Sequence, residues 1–189
     1  MAIGMGLIIT VAVLIAVAII VGYIVSIFNG LIRLKNNIKK SWANINVLLK
    51  QRSDELPKLI SSVKGYMKHE KTTLAELTKA RTDIMKASSM SAKAKADSAI
   101  SSALKSIFAV AENYPNLKAN DNFIQLQNRI SGLENELSDR REFYNDSVNN
   151  YNIRIQSVPD NMVAGMMKYS EEEMFKVDEA DKKDVKVEF

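Results

Sequence analysis

Three arginines stand where apolar side chains are due. Leu31, Leu34, Ile38, Trp42, Ile45, Leu48, Arg52, Leu56, Leu59, Val63 and Tyr66 step by threes and fours, the spacing of one helical face. Phe123, Leu126, Ile130, Leu133, Leu137, Tyr144, Val148, Tyr151 and Ile155 repeat the pattern, and Arg140 and Arg141 fill the single skipped step. Arginine on such a stripe has two uses. It can lie along the edge and send its charge out to water, or it can be buried against a carboxylate, since an unpaired buried guanidinium costs several kcal/mol. The second use defines a candidate buried polar network of Arg52, Arg81, Glu112, Glu134, Arg140 and Arg141, able to fix the register of neighbouring helices.

Other chemistry has little to work with. His69 is the only histidine, next to Glu70, and a metal would need at least two further ligands that no His/Cys spacing supplies. A turn or surface role fits His69 better. Serine nucleophiles would share that one imidazole as base. Seven scattered glycines form no phosphate loop. Cysteine is absent, which removes disulfides, thiolate catalysis and thiol lipidation. The residues therefore predict no enzyme, no cofactor, no metal and no small-molecule substrate.

Charge is unevenly placed. Residues 33–68 hold nine Lys/Arg and two acids, while 69–189 hold 17 bases and 20 acids, so the basic excess is concentrated early. Arg33, Lys35, Lys39 and Lys40 form a cluster directly after 32 residues that contain no Asp, Glu, Lys or Arg. Such a cluster suits anionic lipid headgroups. Nucleic acid is disfavoured, because Trp42 is the only large aromatic in the basic stretch before Tyr66.

Residues 7–28 are almost wholly apolar, and 15 of these 22 are Leu, Ile, Val or Phe. As a helix they reach about 33 Å, enough for a hydrocarbon core of about 30 Å. Those side chains favour insertion by about 5 to 9 kcal/mol as an upper figure. The run is longer than a signal-peptide core and has no basic residue before it, so a retained single-pass transmembrane helix is expected. Its charge flanks orient residues 33–189 to the cytoplasmic side of the cell membrane, with a short N-terminus outside.

Beyond the anchor the pattern is all-α. The first stripe predicts a long helix over 31–66, kinked where Pro57 deprives the Ser53 carbonyl of its backbone partner. Thr73 and Glu76 have capping-box spacing ahead of Leu77 and Ile84. Residues 86–97, rich in Ala, Ser and Lys, read as a loop or frayed end. Ile100, Leu104, Ile107, Ala111 and Tyr114 predict a third helix that Pro115 stops. Asn120, Asp121 and Asn122 offer N-caps for the fourth, which Pro159 ends. Short connections make an antiparallel bundle of about four helices, two of them long. Three regions follow: 1–32 with the transmembrane helix, the bundle over 33–168, and a tail over 169–189. Residues 171–189 carry eight acids and four bases. This tail reads as solvated, with a loose electrostatic contact to the basic cluster as the alternative.

Several blocks resemble the LemA family. Lys50-Gln51-Arg52-Ser53-Asp54-Glu55-Leu56-Pro57-Lys58-Leu59 is similar to its LKRRxDLIPNLV stretch. The segments 64–70, 114–120, 122–123, 141–145, Tyr151-Asn152 and Val158-Pro159 look like its other signatures, in order. Departures come late: Lys168-Tyr169 stands where the family has Gly-Phe, and Val185-Lys186-Val187-Glu188-Phe189 lacks the proline of PKVxF. The resemblance implies a membrane-anchored antiparallel helical bundle of undefined molecular function. Together these readings predict a structural or interaction scaffold whose partners are the lipid bilayer and a protein partner or a second copy. The alternative is an accessory module in membrane signalling or stress response.

Overall fold

A computed structural model describes residues 2–67 and 70–176. The described residues are helical with no strand, in the order α1 (Ala2–Lys64), α2 (Lys71–Lys86), α3 (Met90–Ala111), α4 (Pro115–Lys118), α5 (Asp121–Gln156) and α6 (Asp160–Met166). The apolar run and the first amphipathic stripe are one uninterrupted 63-residue helix. Nothing in 29–33 breaks it, because Asn29 and Gly30 are the only weak helix formers there and both lie in its interior.

Pro57 lies inside α1. Proline has no N–H to give to the carbonyl four residues back. That carbonyl belongs to Ser53, and it accepts a hydrogen bond from Arg81 Nε of α2 at 3.2 Å. The defect in one helix thus becomes a fastening point for the next.

Two local expectations are corrected. Residues 86–97 are not a loop throughout: α3 starts at Met90, and the Ser89 hydroxyl accepts from Ala92 N–H as its N-cap. Small side chains suffice here, because Ala94, Ala96 and Ala103 are buried where helices approach closely. The Thr73–Glu76 capping box does not form either. α2 begins two residues earlier at Lys71, and its N-cap Glu70 makes no side-chain cap bond. The third helix ends at Ala111, short of the Tyr114 expected within it, and Pro115 opens the single turn α4, where its fixed φ is suited to the first position. Asn120 caps α5, its Oδ1 accepting from Phe123 N–H at 3.1 Å.

The chain divides into two compact units. One holds Ser41–Asn145 with Phe175 and Lys176. In it α1, α2, α3 and α5 form an up-down bundle. Trp42 meets Tyr144 while Arg52 meets Glu134, so α1 and α5 run antiparallel. Ile45, Leu56, Leu59, Leu77, Ile100, Ile107, Ile130 and Leu137 are among its buried side chains.

The other unit holds the residues up to Lys40 and Asp146–Met174. Its core includes Ile27, Leu31, Ile38, Val148, Tyr151 and Val163. Here α6 ends on Lys168 at φ 53°, with Tyr169 N–H bonded to Ala164 C=O and Lys168 N–H to Gly165 C=O. This left-handed ending favours glycine, and Lys168 occupies the place where the resembling motif has one. Asn152 then grips the chain after α6, donating to Glu172 C=O and accepting from Glu172 N–H, both at 2.9 Å. The tail expected to be solvated from 169 is therefore held through these residues, and 177–189 lie outside the described residues.

Arg81→Met should cost about 1 kcal/mol in urea unfolding, the usual worth of one hydrogen bond. In a Pro57→Ala background, where the Ser53 carbonyl regains its helical partner, the same change should cost less than half as much.

Candidate functional site

The most unusual side chain of the bundle is Arg52, which has no exposed surface. It projects from α1 toward α3 and α5. Its Nη1 donates to Asp97 Oδ1 at 2.7 Å, and its Nη2 donates to Ser101 Oγ at 2.9 Å and Glu134 Oε1 at 3.2 Å. Asp97 is itself only 1% exposed, and its second oxygen accepts from Arg141 Nη2 of α5. One buried carboxylate thus joins two guanidinium groups from different helices. Burial pushes the Arg52 pKa below the usual arginine range, and the charge and hydrogen bond of Glu134 oppose that shift.

A second buried charge lies one turn along α1. Glu55 is 4% exposed and accepts from Lys58 Nζ at 2.9 Å, while Arg129 Nε of α5 lies 2.7 Å from its other oxygen. α1 therefore offers a cation and then an anion, and α5 answers with Glu134 and Arg129 in reversed order. That pattern is complementary only for antiparallel helices in this register.

Of the candidate network, the structure brings Arg52, Glu134 and Arg141 together. Arg81 lies nearby but serves the Ser53 carbonyl. Glu112 is exposed and pairs with Lys118, and Arg140 is exposed and pairs with Glu136 one turn away. These two are corrected out of the network: Glu112 is the cap residue just beyond α3, and Arg140 lies on the outer side of α5 next to the inward Arg141. Asp97 stands outside the candidate network, because the Ala, Ser and Lys of 86–97 read as a loop or frayed end. The spacing does carry the signal, since stepping back from Leu104 by four and then by threes reaches Ile100, Asp97 and Ala94. Glu55 and Ser101 stand outside the candidate network as well. His69 lies outside the described residues.

Arg141 also reaches an aromatic cluster, its guanidinium carbon 5.2 Å from the Phe175 ring centroid. Phe175 packs against Trp42, which contacts Tyr144, at centroid distances of 6.1 and 5.9 Å. Asn145 holds the Phe175 backbone on both sides, donating to its C=O at 3.1 Å and accepting from its N–H at 2.7 Å. An asparagine side chain here imitates the edge of a strand.

The basic cluster is divided in its roles. Arg33, Lys39 and Lys40 are exposed. Lys35 turns inward to Glu172 at 3.2 Å, with Nζ 4.4 Å from the Tyr169 ring centroid and 5.9 Å from that of Tyr151. Burial lowers the Lys35 pKa, but the Glu172 hydrogen bond and charge, aided by both tyrosines, outweigh it and leave the ammonium above its ordinary value. Burial raises the Tyr151 phenol, against the pull of Lys35, and its hydroxyl donates to Ser170 C=O. Among the described residues, tail and basic flank thus meet at Lys35 and Glu172.

A family model described as the LemA family matches residues 41–189. The chain belongs to the LemA family. It is 31% identical over 162 residues to a protein named LemA of Metamycoplasma hominis, covering 83% of this chain and 72% of that one. Two magnetosome proteins of Paramagnetospirillum magneticum, MamQ 1 and MamQ 2, are each 31% identical over 80 residues, which is 42% of this chain and 29% of theirs. The family match takes in Arg52, Asp97, Glu134 and Arg141, so the polar network lies wholly inside the family portion.

Asp97→Asn should lower unfolding stability by about 3–5 kcal/mol, because the buried Arg52 and the half-buried Arg141 lose their shared counter-charge. Glu112→Gln and Arg140→Gln, tested in the same denaturation assay, should each change it by less than about 0.5 kcal/mol.

Proposed function

We propose that this LemA-family chain is a single-pass membrane protein whose helical bundle serves as a scaffold for protein contacts. The observation that carries the anchor is the surface of α1. Its first part is long and apolar enough to cross a bilayer, and none of its most apolar stretch is buried in the protein. Leu7 is 67% exposed, Ile8 70%, Leu14 64% and Ile19 66%. A soluble protein would bury such a face, whereas lipid covers it without cost.

The charge flanks support the orientation. Exposed Arg33, Lys39 and Lys40 follow the apolar run directly, favouring a cytoplasmic bundle with headgroups as their partners. The scaffold reading draws on the bundle itself. Its buried charges are spent on joining helices, and the residues of the described helices point to packing and contact rather than to a reaction.

Alkaline carbonate extraction tests the anchor. The full chain should stay in the pellet, and a chain lacking residues 1–32 should move to the supernatant while keeping its helical circular dichroism. Ser91→Cys, on exposed α3 surface, should then resist a membrane-impermeant maleimide in intact cells and react after permeabilisation. Release of the full chain by carbonate would refute the anchor, and labelling of intact cells would reverse the orientation.

A further inference from the structure

A groove between the end of α1 and α2, with a volume of roughly 910 Å³, has an apolar floor that includes Ile60, Met67 and Leu74 and a rim of Lys64, Lys71 and Lys79. Among the described residues no acidic side chain lines it. None of the three lysines forms an ion pair among the described residues. Three like charges around a greasy trough call for an occupant that is acidic and partly apolar.

Such an occupant starts nearby on the same face of α1. Phe175 is held by Asn145 and stacked on Trp42, in the same unit as the groove. Eighteen residues separate Trp42 from Ile60, which is five whole helical turns, so both face the same way, about 27 Å apart along the axis. The contacts of this segment on α1 pass from Lys35 at Glu172 to Trp42 at Phe175, in the direction of rising α1 number.

A smaller hollow of roughly 340 Å³ lies along that path, bordered by Asn46, Leu49, Ser53, Lys93 and the Lys50–Asp54 ion pair, so Lys93 is the cation there with no carboxylate beside it among the bordering residues of the described chain. Lys93 has Asn46 and the Trp42 ring as neighbours, 5.7 Å from the ring centroid in the second case. The following thirteen residues, 177–189, hold five acids and three bases, with Asp178, Glu179, Asp181 and Asp184 ahead of the alternating apolar Val185, Val187 and Phe189. Fully extended they span about 43 Å, which exceeds the distance to be covered.

We propose that residues 177–189 dock in this lysine-rimmed groove between α1 and α2, acidic side chains toward the lysines and Val185 and Val187 toward the apolar floor. The segment becomes an intramolecular ligand that covers a basic, apolar surface of the bundle. Any outside acidic partner would have to displace it.

The absence of native cysteine makes a direct test available. The full chain in detergent micelles would carry Ala180→Cys with Thr82→Cys, an exposed groove position. The control pairs Ala180→Cys with Ser138→Cys, exposed on α5 and within reach of the Asn145 clamp. Under mild oxidation the groove pair should form an intramolecular disulfide at least about tenfold faster than the control. Charge reversal by Lys64→Glu, Lys71→Glu and Lys79→Glu should bring it within about twofold of the control, with circular dichroism confirming that the bundle still folds. Equal rates for the two pairs, disulfides formed only between chains, or a groove rate untouched by the charge reversal would each overturn the proposal.

Discussion

A guanidinium with no access to water governs the bundle. Arg52 can remain charged inside it only because Asp97 and Glu134 stand within hydrogen-bond distance, and Asp97 also serves Arg141. The desolvation of these groups is paid only when α1, α3 and α5 are together. Sliding any of the three by one turn, about 5.4 Å, would strand at least one buried charge. Apolar stripes alone tolerate such slips, since one leucine layer resembles the next. The ion cluster, reinforced by Glu55 with Arg129, tells one register from its neighbours. Pro57 and Arg81 add α2 to the same arrangement through a backbone carbonyl that proline leaves open.

Beyond the bundle the governing constraint is the opposite one. The early part of α1 carries no Asp, Glu, Lys or Arg, and none of its most apolar stretch is buried among the described residues. Its large apolar side chains can be covered by lipid, and the first charges after it are Arg33 and Lys35. Lys35 is drawn into the Glu172, Tyr151 and Tyr169 site, so the exposed members of the cluster are Arg33, Lys39 and Lys40. The same short stretch of chain thus divides its cations between internal fastening and the outer surface.

Much of this was legible in residue order. Periodicity gave the long helices and placed Arg52 on a buried stripe, because one apolar face of a helix repeats every three to four residues whatever its partner is. It could not decide between Arg140 and Arg141, which differ by 100° in direction while both flank the seam. It lost Asp97 because the start of α3 packs through alanines, whose small size leaves no conspicuous stripe. Asn145 and Asn152 each follow a buried tyrosine, seven residues apart, and that repeat was visible. What they hold was not, since both asparagines recognise backbone, and backbone carries no sequence signature. In the sequence Lys168 shows only as a departure from a glycine-containing motif, and its φ of 53° supplies the reason glycine suits that place.

The shared counter-charge can be tested by a double-mutant cycle on Arg52→Met and Asp97→Leu, read as unfolding free energy in denaturant. Each single change leaves the other member of the pair buried with one counter-charge fewer, Asp97 keeping Arg141 and Arg52 keeping Glu134, whereas the double change removes both members. The account predicts that the double variant recovers at least half of the summed losses, a coupling of about 2–3 kcal/mol. Additive losses within about 0.5 kcal/mol would mean that the two side chains act independently, and would contradict a bundle registered by this ion pair.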